Sequence, residues 1–304
     1  MSTVLEARGL SKAYGKTWAL KDCSFSLPEG RITGLVGHNG AGKTTLMALM
    51  VGLLRPNSGV LEVLGLSPQT HLAELLPQIA FVGQEKALYP TFSVREMLRF
   101  GQELNPTFDV PYAEAYLRKL DIPLDRQTRK LSGGQKAHVA IVLALAKHPR
   151  LLVLDEPFAN LDPLSRHQLM QTLMEAAAAD GNSVLISSHQ VSDLEKICDS
   201  LVVLANARVL LAGDIEELVD AHRWVTVDPT WKESLGPGIT IIHEEAAMRT
   251  TRLLVRLDGL CSFLGLPEEQ EKVNLEEMIL GYLALNKGQI EALNQGLVVA
   301  EAQL

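Results

Sequence analysis

Cysteine is scarce in this sequence. Cys23, Cys198 and Cys261 are the only three in 304 residues. They stand far apart, show no metal-binding spacing, and make neither the even number nor the density of a disulfide framework. The expectation is reduced thiols that serve packing, as in a cytosolic protein. Long apolar runs are missing as well. The longest, Val139 to Ala146, falls far short of the ~20 residues that cross a bilayer, so any work at a membrane needs a second chain for the spanning part. No basic stretch followed by an apolar one opens the sequence, and no secretory signal is expected. Positive charge is not in excess: 28 Lys and Arg face 36 Asp and Glu, for a net charge of −8. That balance argues against a general affinity for nucleic acid while leaving room for a local basic patch. Sustained heptads are absent too, which removes long coiled coils. What remains is an ordinary globular mix, 47% hydrophobic and 21% charged, able to fill one large domain and a smaller one.

Against that plain background one stretch stands out, Gly34 to Thr45. It contains G-x-x-x-x-G-K-[ST], with Gly37, Gly42, Lys43 and Thr44 in the fixed places and Asn39, Gly40 and Thr45 in and beside the loop. An apolar run, Ile32 to Val36, leads in as a strand, and Thr45 to Val51 leads out as a helix. A chance Lys-Thr after a glycine-rich turn would lack that frame; here motif, strand and helix agree. Glycines let such a loop curl its N–H groups toward a phosphate, and the helix N-terminus adds positive partial charge at the same spot. Lys43 can reach β- and γ-phosphates, and the Thr44 hydroxyl can ligand Mg²⁺.

Around this loop the chain reads as follows. Val4 to Ala7 and Ala19 to Leu27 are strands, with Tyr14-Gly15 in a polar turn between them. An aromatic there can stack on a base or half-pack on the sheet. Val60 to Leu64 and Ile79 to Val82 are further strands, the second broken by Gly83-Gln84. Residues 85–130 turn helical. Ser93 caps a helix to Leu104 with Glu96 three residues on, a capping box, and Pro111 to Leu120 is a second amphipathic helix. Leu131-Ser132-Gly133-Gly134-Gln135 then opens a strongly apolar helix that His148-Pro149 ends. Ser-Gly-Gly alone is only a helix start; the whole pentapeptide after a phosphate loop and a helical insert is far more specific.

Leu151 to Leu154 is a fully apolar strand that delivers Asp155 and Glu156. Strands buried on both faces belong to parallel sheets, and ligands of such sheets sit at the strands' carboxyl ends. Two acids there can hold Mg²⁺ and orient a water. Asp162-Pro163 starts a helix to about Ala179; Val184 to Ser188 is another buried strand with His189 at its carboxyl end; Leu201 to Leu204 and Val209 to Leu211 form a hairpin.

Taken together, residues 3 to about 220 resemble the ATPase subunit of ATP-binding-cassette transporters. The motifs come in that family's order: phosphate loop at 37–44, Gln84 at the Q-loop position, Leu131 to Gln135 as the signature, Leu151 to Glu156 as the second nucleotide strand, Leu161-Asp162 at the D-loop, and His189 at the switch position. The signature is the discriminating piece. A GTPase would need Asn-Lys-x-Asp, and Asn286-Lys287-Gly288-Gln289 lacks the Asp. The resemblance implies an α/β fold: a P-loop NTPase (RecA-like) core sheet with an antiparallel β subdomain, a helical subdomain at about 85–148, and a small α+β C-terminal region. It implies ATP and Mg²⁺ as cofactors, with adenine on Tyr14, phosphates held by Gly37, Asn39, Gly40, Gly42, Lys43, Thr44 and Thr45, and metal at Thr44, Gln84 and Asp155. Glu156 would polarise the attacking water, His189 would contact the γ-phosphate, and Lys43 and Gln84 would complete the catalytic set. Ser132, Gly133, Gly134, Gln135 and Asp162 would close on the nucleotide of a second cassette, identical or different. A separate multi-span permease, and a place at the cytoplasmic face of the membrane, are implied with it. His38, Ala137-His138, Asn160 and Ala207 depart from the usual pattern without touching the core chemistry; Asn206 is expected to carry the left-handed turn residue of the last hairpin.

Residues 221–304 differ in style. Trp224 to Val227, Ile239 to His243 and Arg252 to Leu257 read as strands, Gly236-Pro237-Gly238 as a turn, and Asn274 to Leu280 as a helix start. This small tail resembles the C-terminus of multidrug and antibiotic-export ATPases. Residues 288–304 form either a last amphipathic helix, with Ile290, Leu293, Leu297 and Val298 on one face, or a frayed end. The expected function is ATP hydrolysis that drives an exporter. The alternative is a soluble cassette ATPase acting on ribosomes or DNA; a single cassette, no heptads and an acidic balance disfavour it, as an intact Glu156 and His189 disfavour a non-hydrolysing cassette.

Overall fold

A computed structural model of the chain describes residues 2–228, 238–246, 250–257, 270–285 and 290. The strands are β1 (Thr3–Tyr14), β2 (Thr17–Pro28), β3 (Ile32–Val36), β4 (Ser58–Val63), β5 (Ile79–Val82), β6 (Leu151–Leu154), β7 (Ser183–Ser188), β8 (Ser200–Ala205), β9 (Arg208–Asp214), β10 (His222–Val227), β11 (Ile239–Ala246), β12 (Thr251–Leu257) and β13 (Gln270–Lys272). The helices are α1 (Lys43–Met50), α2 (Leu72–Leu75), α3 (Val94–Leu104), α4 (Val110–Lys119), α5 (Gly133–Leu145), α6 (Pro163–Asp180), α7 (Val191–Leu194), α8 (Ile215–Asp220) and α9 (Leu275–Leu283). The expected Gly236-Pro237 turn, Cys261, Asn286 to Gln289 and all of the last helix except Ile290 lie outside the described residues.

The central sheet runs β5-β6-β7-β3-β8-β9. β5, β6, β7, β3 and β8 are parallel, and β9 returns antiparallel. Every residue of β3, β6, β7 and β8 is buried, as strands covered on both faces must be. The period-2 alternation of a strand sorts their side chains. Leu151, Val153, Leu185, Val202 and Leu204 join the layer made by β1, β2, β4 and α1. Leu152, Leu154, Val184, Ile186, Leu201 and Val203 join the opposite layer, made by α5, α6 and α7. The antiparallel layer has the order β2-β1-β4. Its first two strands are 12 residues long each, longer than the sequence suggests, because register shifts let the ribbon absorb its polar stretches. Between β8 and β9 both Asn206 (φ 49°) and Ala207 (φ 64°) are left-handed. A two-residue hairpin loop needs positive φ at both positions, so Asn206 does not do this alone.

Residues between β5 and β6 form the helical insert. Both expected caps are present: Ser93 accepts from Glu96 N–H, and the Glu96 carboxylate accepts from Ser93 N–H at 2.6 Å. α5 is the bridging element. Val139, Val142 and Ala146 pack with Leu98 and Leu117 of α3 and α4. Ala137, Ala140, Ile141 and Leu145 pack on the central sheet side.

The tail adds an antiparallel sheet of order β11-β12-β10-β13. α9 lies beside it, capped by Asn274 with Glu277 in a capping box. Leu275, Met278, Ile279 and Tyr282 of α9 share one buried cluster with Trp224, Ile242 and Leu254 of this sheet and with Val191, Leu194 and Ile197 of the α7 region. His222 Nε2 lies 2.9 Å from the Tyr282 hydroxyl, and both residues are fully buried.

Candidate active site

The order of the strands decides what meets what. β7 lies between β6 and β3, so the residues after these three strands share one rim. β3 runs into the phosphate loop, and Gly42 caps α1 at φ 112°. A side chain there would place its Cβ 2.3 Å from the Ala19 carbonyl oxygen, so this position takes only glycine. Lys43 is buried, and its Nζ donates to the Gly37 carbonyl at 2.7 Å and lies 3.7 Å from Glu156 Oε1.

Asp155 and Glu156 follow β6. Thr44 Oγ1 donates to Asp155 Oδ2 at 2.7 Å, and Ser187 Oγ donates to Asp155 Oδ1 at 2.6 Å. The Glu156 N–H donates to the same Ser187 oxygen at 2.8 Å. Glu156 sits at φ 49°, a region that costs a non-glycine residue roughly 1–3 kcal/mol and collects at functional sites. Its Oε2 lies 2.8 Å from His189 Nδ1. One carboxylate thus reaches both Lys43 and His189.

These groups open onto a cavity of about 560 Å³ lined by Tyr14, Asn39, Gly40, Gly42, Lys43, Thr44, Thr45, Gln84, Asp155, Glu156 and His189, together with Ala19 and Ala41. Tyr14 stands at its edge, half exposed, with Lys12 Nζ 5.6 Å from its ring centre. The lining fits a nucleotide and a hard cation. A curled loop with a lysine faces one side, and the hydroxyl, amide and carboxylate oxygens of Thr44, Gln84, Asp155 and Glu156 supply the donors a Mg²⁺ site uses.

The other sequence-predicted residues lie apart from this cavity. Ser132 and Gln135 close a capping box at the start of α5: Gln135 N–H donates to Ser132 Oγ, and Gln135 Oε1 accepts from Ser132 N–H, both at 3.1 Å. Gly133 is exposed. Gly134 faces α6, where a Cβ would fall 2.4 Å from Ser165 Oγ. Asp162 caps α6, accepting from Leu164 N–H, Ser165 N–H and Ser165 Oγ. Those Ser165 bonds hold its carboxyl below the usual range. His138, one turn into α5, is buried beside the Ser165 backbone, and burial pushes its imidazole down toward the neutral form.

Sequence reasoning missed two contacts. Ser187, a hydroxyl at the end of an apolar strand two residues before His189, was the available signal for the first. The second is Lys86, whose Nζ donates to the Ala159 carbonyl at 3.2 Å and so links the loop after Gln84 to the loop after Glu156. The two described cysteines, Cys23 and Cys198, are free, and burial pushes both thiols up. Among the described residues no helix is long and apolar enough to cross a membrane.

Comparison with known proteins agrees with this geometry. The family described as "ABC transporter" matches residues 20–159. The ABC transporter ATP-binding protein YtrB of Bacillus subtilis (strain 168) is 31% identical over 219 residues, covering 72% of this chain and 75% of that protein. A Nod factor export ATP-binding protein I of Burkholderia lata is 32% identical over 269 residues, 87% of each chain. The lipopolysaccharide export system ATP-binding protein LptB of Acidithiobacillus ferridurans is 35% identical over 232 residues, 72% of this chain and 94% of that one. A solved ATP binding subunit of an ABC transporter superposes with a TM-score of 0.65 at 31% identity, over 72% of this chain and 92% of that chain. Loop, acids and histidine on one rim, and these relatives, lead to one conclusion: the chain belongs to the ABC transporter family and is an ATP-binding, ATP-hydrolysing subunit.

Proposed function

We propose that this ATPase drives an exporter through a separate multi-span permease, from the cytoplasmic face of the membrane, as one of two cassettes that close on ATP. The export reading rests on relatives whose names carry export of Nod factor or lipopolysaccharide. Residues 1–220 are read as the nucleotide-binding domain and 221–304, whose strands form the separate sheet β11-β12-β10-β13, as an accessory domain.

The observation that carries the dimer is the separation of the site into two halves. The phosphate loop, Gln84, Asp155, Glu156 and His189 line one cavity, while the exposed start of α5 and the Asp162 cap lie elsewhere. A glycine-bearing helix N-terminus is an anion site. Ser132, Gly133, Gly134 and Gln135 therefore act on the nucleotide of the second cassette, with Asp162 beside them. Within this chain Tyr14 stacks on adenine, and Gly37, Asn39, Gly40, Gly42, Thr45 and Lys43 hold the phosphates. Thr44, Gln84 and Asp155 would hold Mg²⁺, which when bound would neutralise charge on the phosphates. Glu156 takes up the water's proton, and His189 keeps Glu156 aimed and contacts the terminal phosphate. Catalysis of this kind is mostly positioning and charge stabilisation.

A second cavity, about 490 Å³, lies between β5 and the helical insert. Phe81, Leu88, Met97, Phe100, Phe108 and Leu143 are among its lining. It begins next to Gln84 and gives a permease an apolar place to push on, coupled to the nucleotide through that loop. The test is purification of a tagged Glu156→Gln form from detergent-solubilised membranes with ATP present. A stoichiometric multi-span protein is expected. Recovery of ribosomes or DNA alone would replace the exporter reading with the soluble one and leave the ATPase chemistry standing.

A further inference from the structure

Ser187 is not in direct line with the cavity, yet it touches both acids that are. Its side chain is fully buried on the central strand β7. A serine hydroxyl has one proton to give and lone pairs to accept with. Here the proton goes to Asp155 Oδ1 at 2.6 Å, and the oxygen accepts the Glu156 N–H at 2.8 Å. The other Asp155 oxygen is taken by Thr44 Oγ1. A continuous chain therefore runs from Thr44 through Asp155 and Ser187 to the Glu156 backbone, and from the Glu156 carboxylate to His189.

The Glu156 link has a specific consequence. Glu156 holds a left-handed backbone, φ 49°, that an L-residue leaves unless its surroundings fix it. A β-region backbone at this point would turn the carboxylate away from His189 and Lys43. The buried N–H of Glu156 has the Ser187 oxygen as its acceptor, so leaving the left-handed region would also abandon that bond. The fold supplies Ser187 at this spot because β7 lies against β6 in parallel register, with Leu154 opposite Ile186. The next residue on β7 is then level with the Asp155–Glu156 turn.

We propose that Ser187 is a positioning residue for ATP hydrolysis, one hydroxyl that fixes the metal-side carboxylate of Asp155 and the water-side carboxylate of Glu156 relative to each other. It rests on the roles given above to Asp155 and Glu156. Groups that orient ligating or catalytic side chains from behind typically cost about 10–100-fold when removed.

The experiment uses the full chain with Ser187→Ala, Ser187→Thr and Glu156→Gln, each compared with wild type. Turnover, KM for ATP, affinity for a fluorescent ATP analogue with EDTA, and the Mg²⁺ concentration that half-saturates the analogue's metal-dependent binding are measured. Ser187→Ala is expected to lower kcat about 10–100-fold, to leave KM and the EDTA affinity within about threefold, and to shift the Mg²⁺ midpoint upward. Ser187→Thr, which keeps a hydroxyl, is expected to recover most of kcat and the Mg²⁺ midpoint. A merely structural loss would instead lower nucleotide affinity with EDTA alongside kcat. That pattern, a Ser187→Ala kcat within about twofold of wild type, or equal losses in Ala and Thr, overturns the proposal. Glu156→Gln separates the two levels. If it turns over like wild type, the underlying role of Glu156 is wrong. If it is inactive while Ser187→Ala is unaffected, the failure belongs to Ser187 alone.

Discussion

The nucleotide cavity and the signature surface are built in opposite ways. In the cavity, Lys43, Asp155 and Glu156 are buried, a left-handed glutamate is pinned by hydrogen bonds, and its carboxylate reaches both the lysine and the histidine. At the signature, the Ser132 and Gln135 side chains cap each other's backbone N–H, Gly133 is exposed, and the neighbouring Asp162 spends its carboxylate on its own helix. The first is pre-organised, with strain held in place by the fold. The second is relaxed and self-capped, a surface whose chemistry awaits another molecule. On the proposed reading, one chain carries two half-sites with different demands: one needs precision before ligand arrives, and the other needs access.

Substitutions can break that contrast. The largest effect is expected from Glu156→Gln, which removes the proton acceptor but keeps the shape. Steady-state hydrolysis should fall by at least ~100-fold while ATP still binds and pairs the cassettes; near-full turnover of the purified variant would show that Glu156 does not polarise the water. Lys43→Ala removes charge-assisted bonds worth about 1.5–3 kcal/mol each, so equilibrium binding of ATP should weaken by at least ~10-fold. Unchanged affinity would refute the phosphate-loop role of Lys43. Gly134→Ala tests the other half. Its Cβ would fall 2.4 Å from Ser165 Oγ and press on the α5–α6 contact. Light scattering should show ATP-dependent pairing weakened about 10-fold, the ~1.4 kcal/mol of a modest steric displacement. ATP affinity of the single cassette should stay within about twofold, because Gly134 is not in the cavity. A parallel loss of both would merge the two half-sites into one. The smallest effect is expected in the tail. Tyr282→Phe removes the hydroxyl beside His222 and should cost about 1 kcal/mol of stability, read as a lower Tm, with hydrolysis within about twofold of wild type. A large loss of hydrolysis would mean that the accessory sheet reaches the active site through α9 and α7.

Much of the fold was legible because its signals are local. The buried strands read as apolar runs, and the Ser93, Asp162 and Asn274 caps read as helix starts; all three caps carry the expected bonds. The limits of legibility were equally physical. The sequence suggests a short strand at Val4 to Ala7, whereas β1 runs to Tyr14, because pairing with β2 and β4 overrides the polar residues of its second half. Ala207 has no side-chain preference for positive φ; the two-residue loop between β8 and β9 imposes it. The helix after His189 closes after one turn, Val191 to Leu194. β13, three exposed residues on the edge of the tail sheet, has no alternation long enough to read.

The candidate site divides in the same way. The sequence by itself determined the identity of the groups: the loop with Lys43 and Thr44, the acids after an apolar strand, His189 after another, and the capped glycines of the signature. It did so because each depends on residues a few positions apart, which motifs and capping rules record. The tertiary structure alone decided their company. Only the placement of β7 between β6 and β3 brings Ser187 under both acids and sets His189 against Glu156. Strand order is fixed by how distant apolar surfaces bury one another, and no local spacing encodes it.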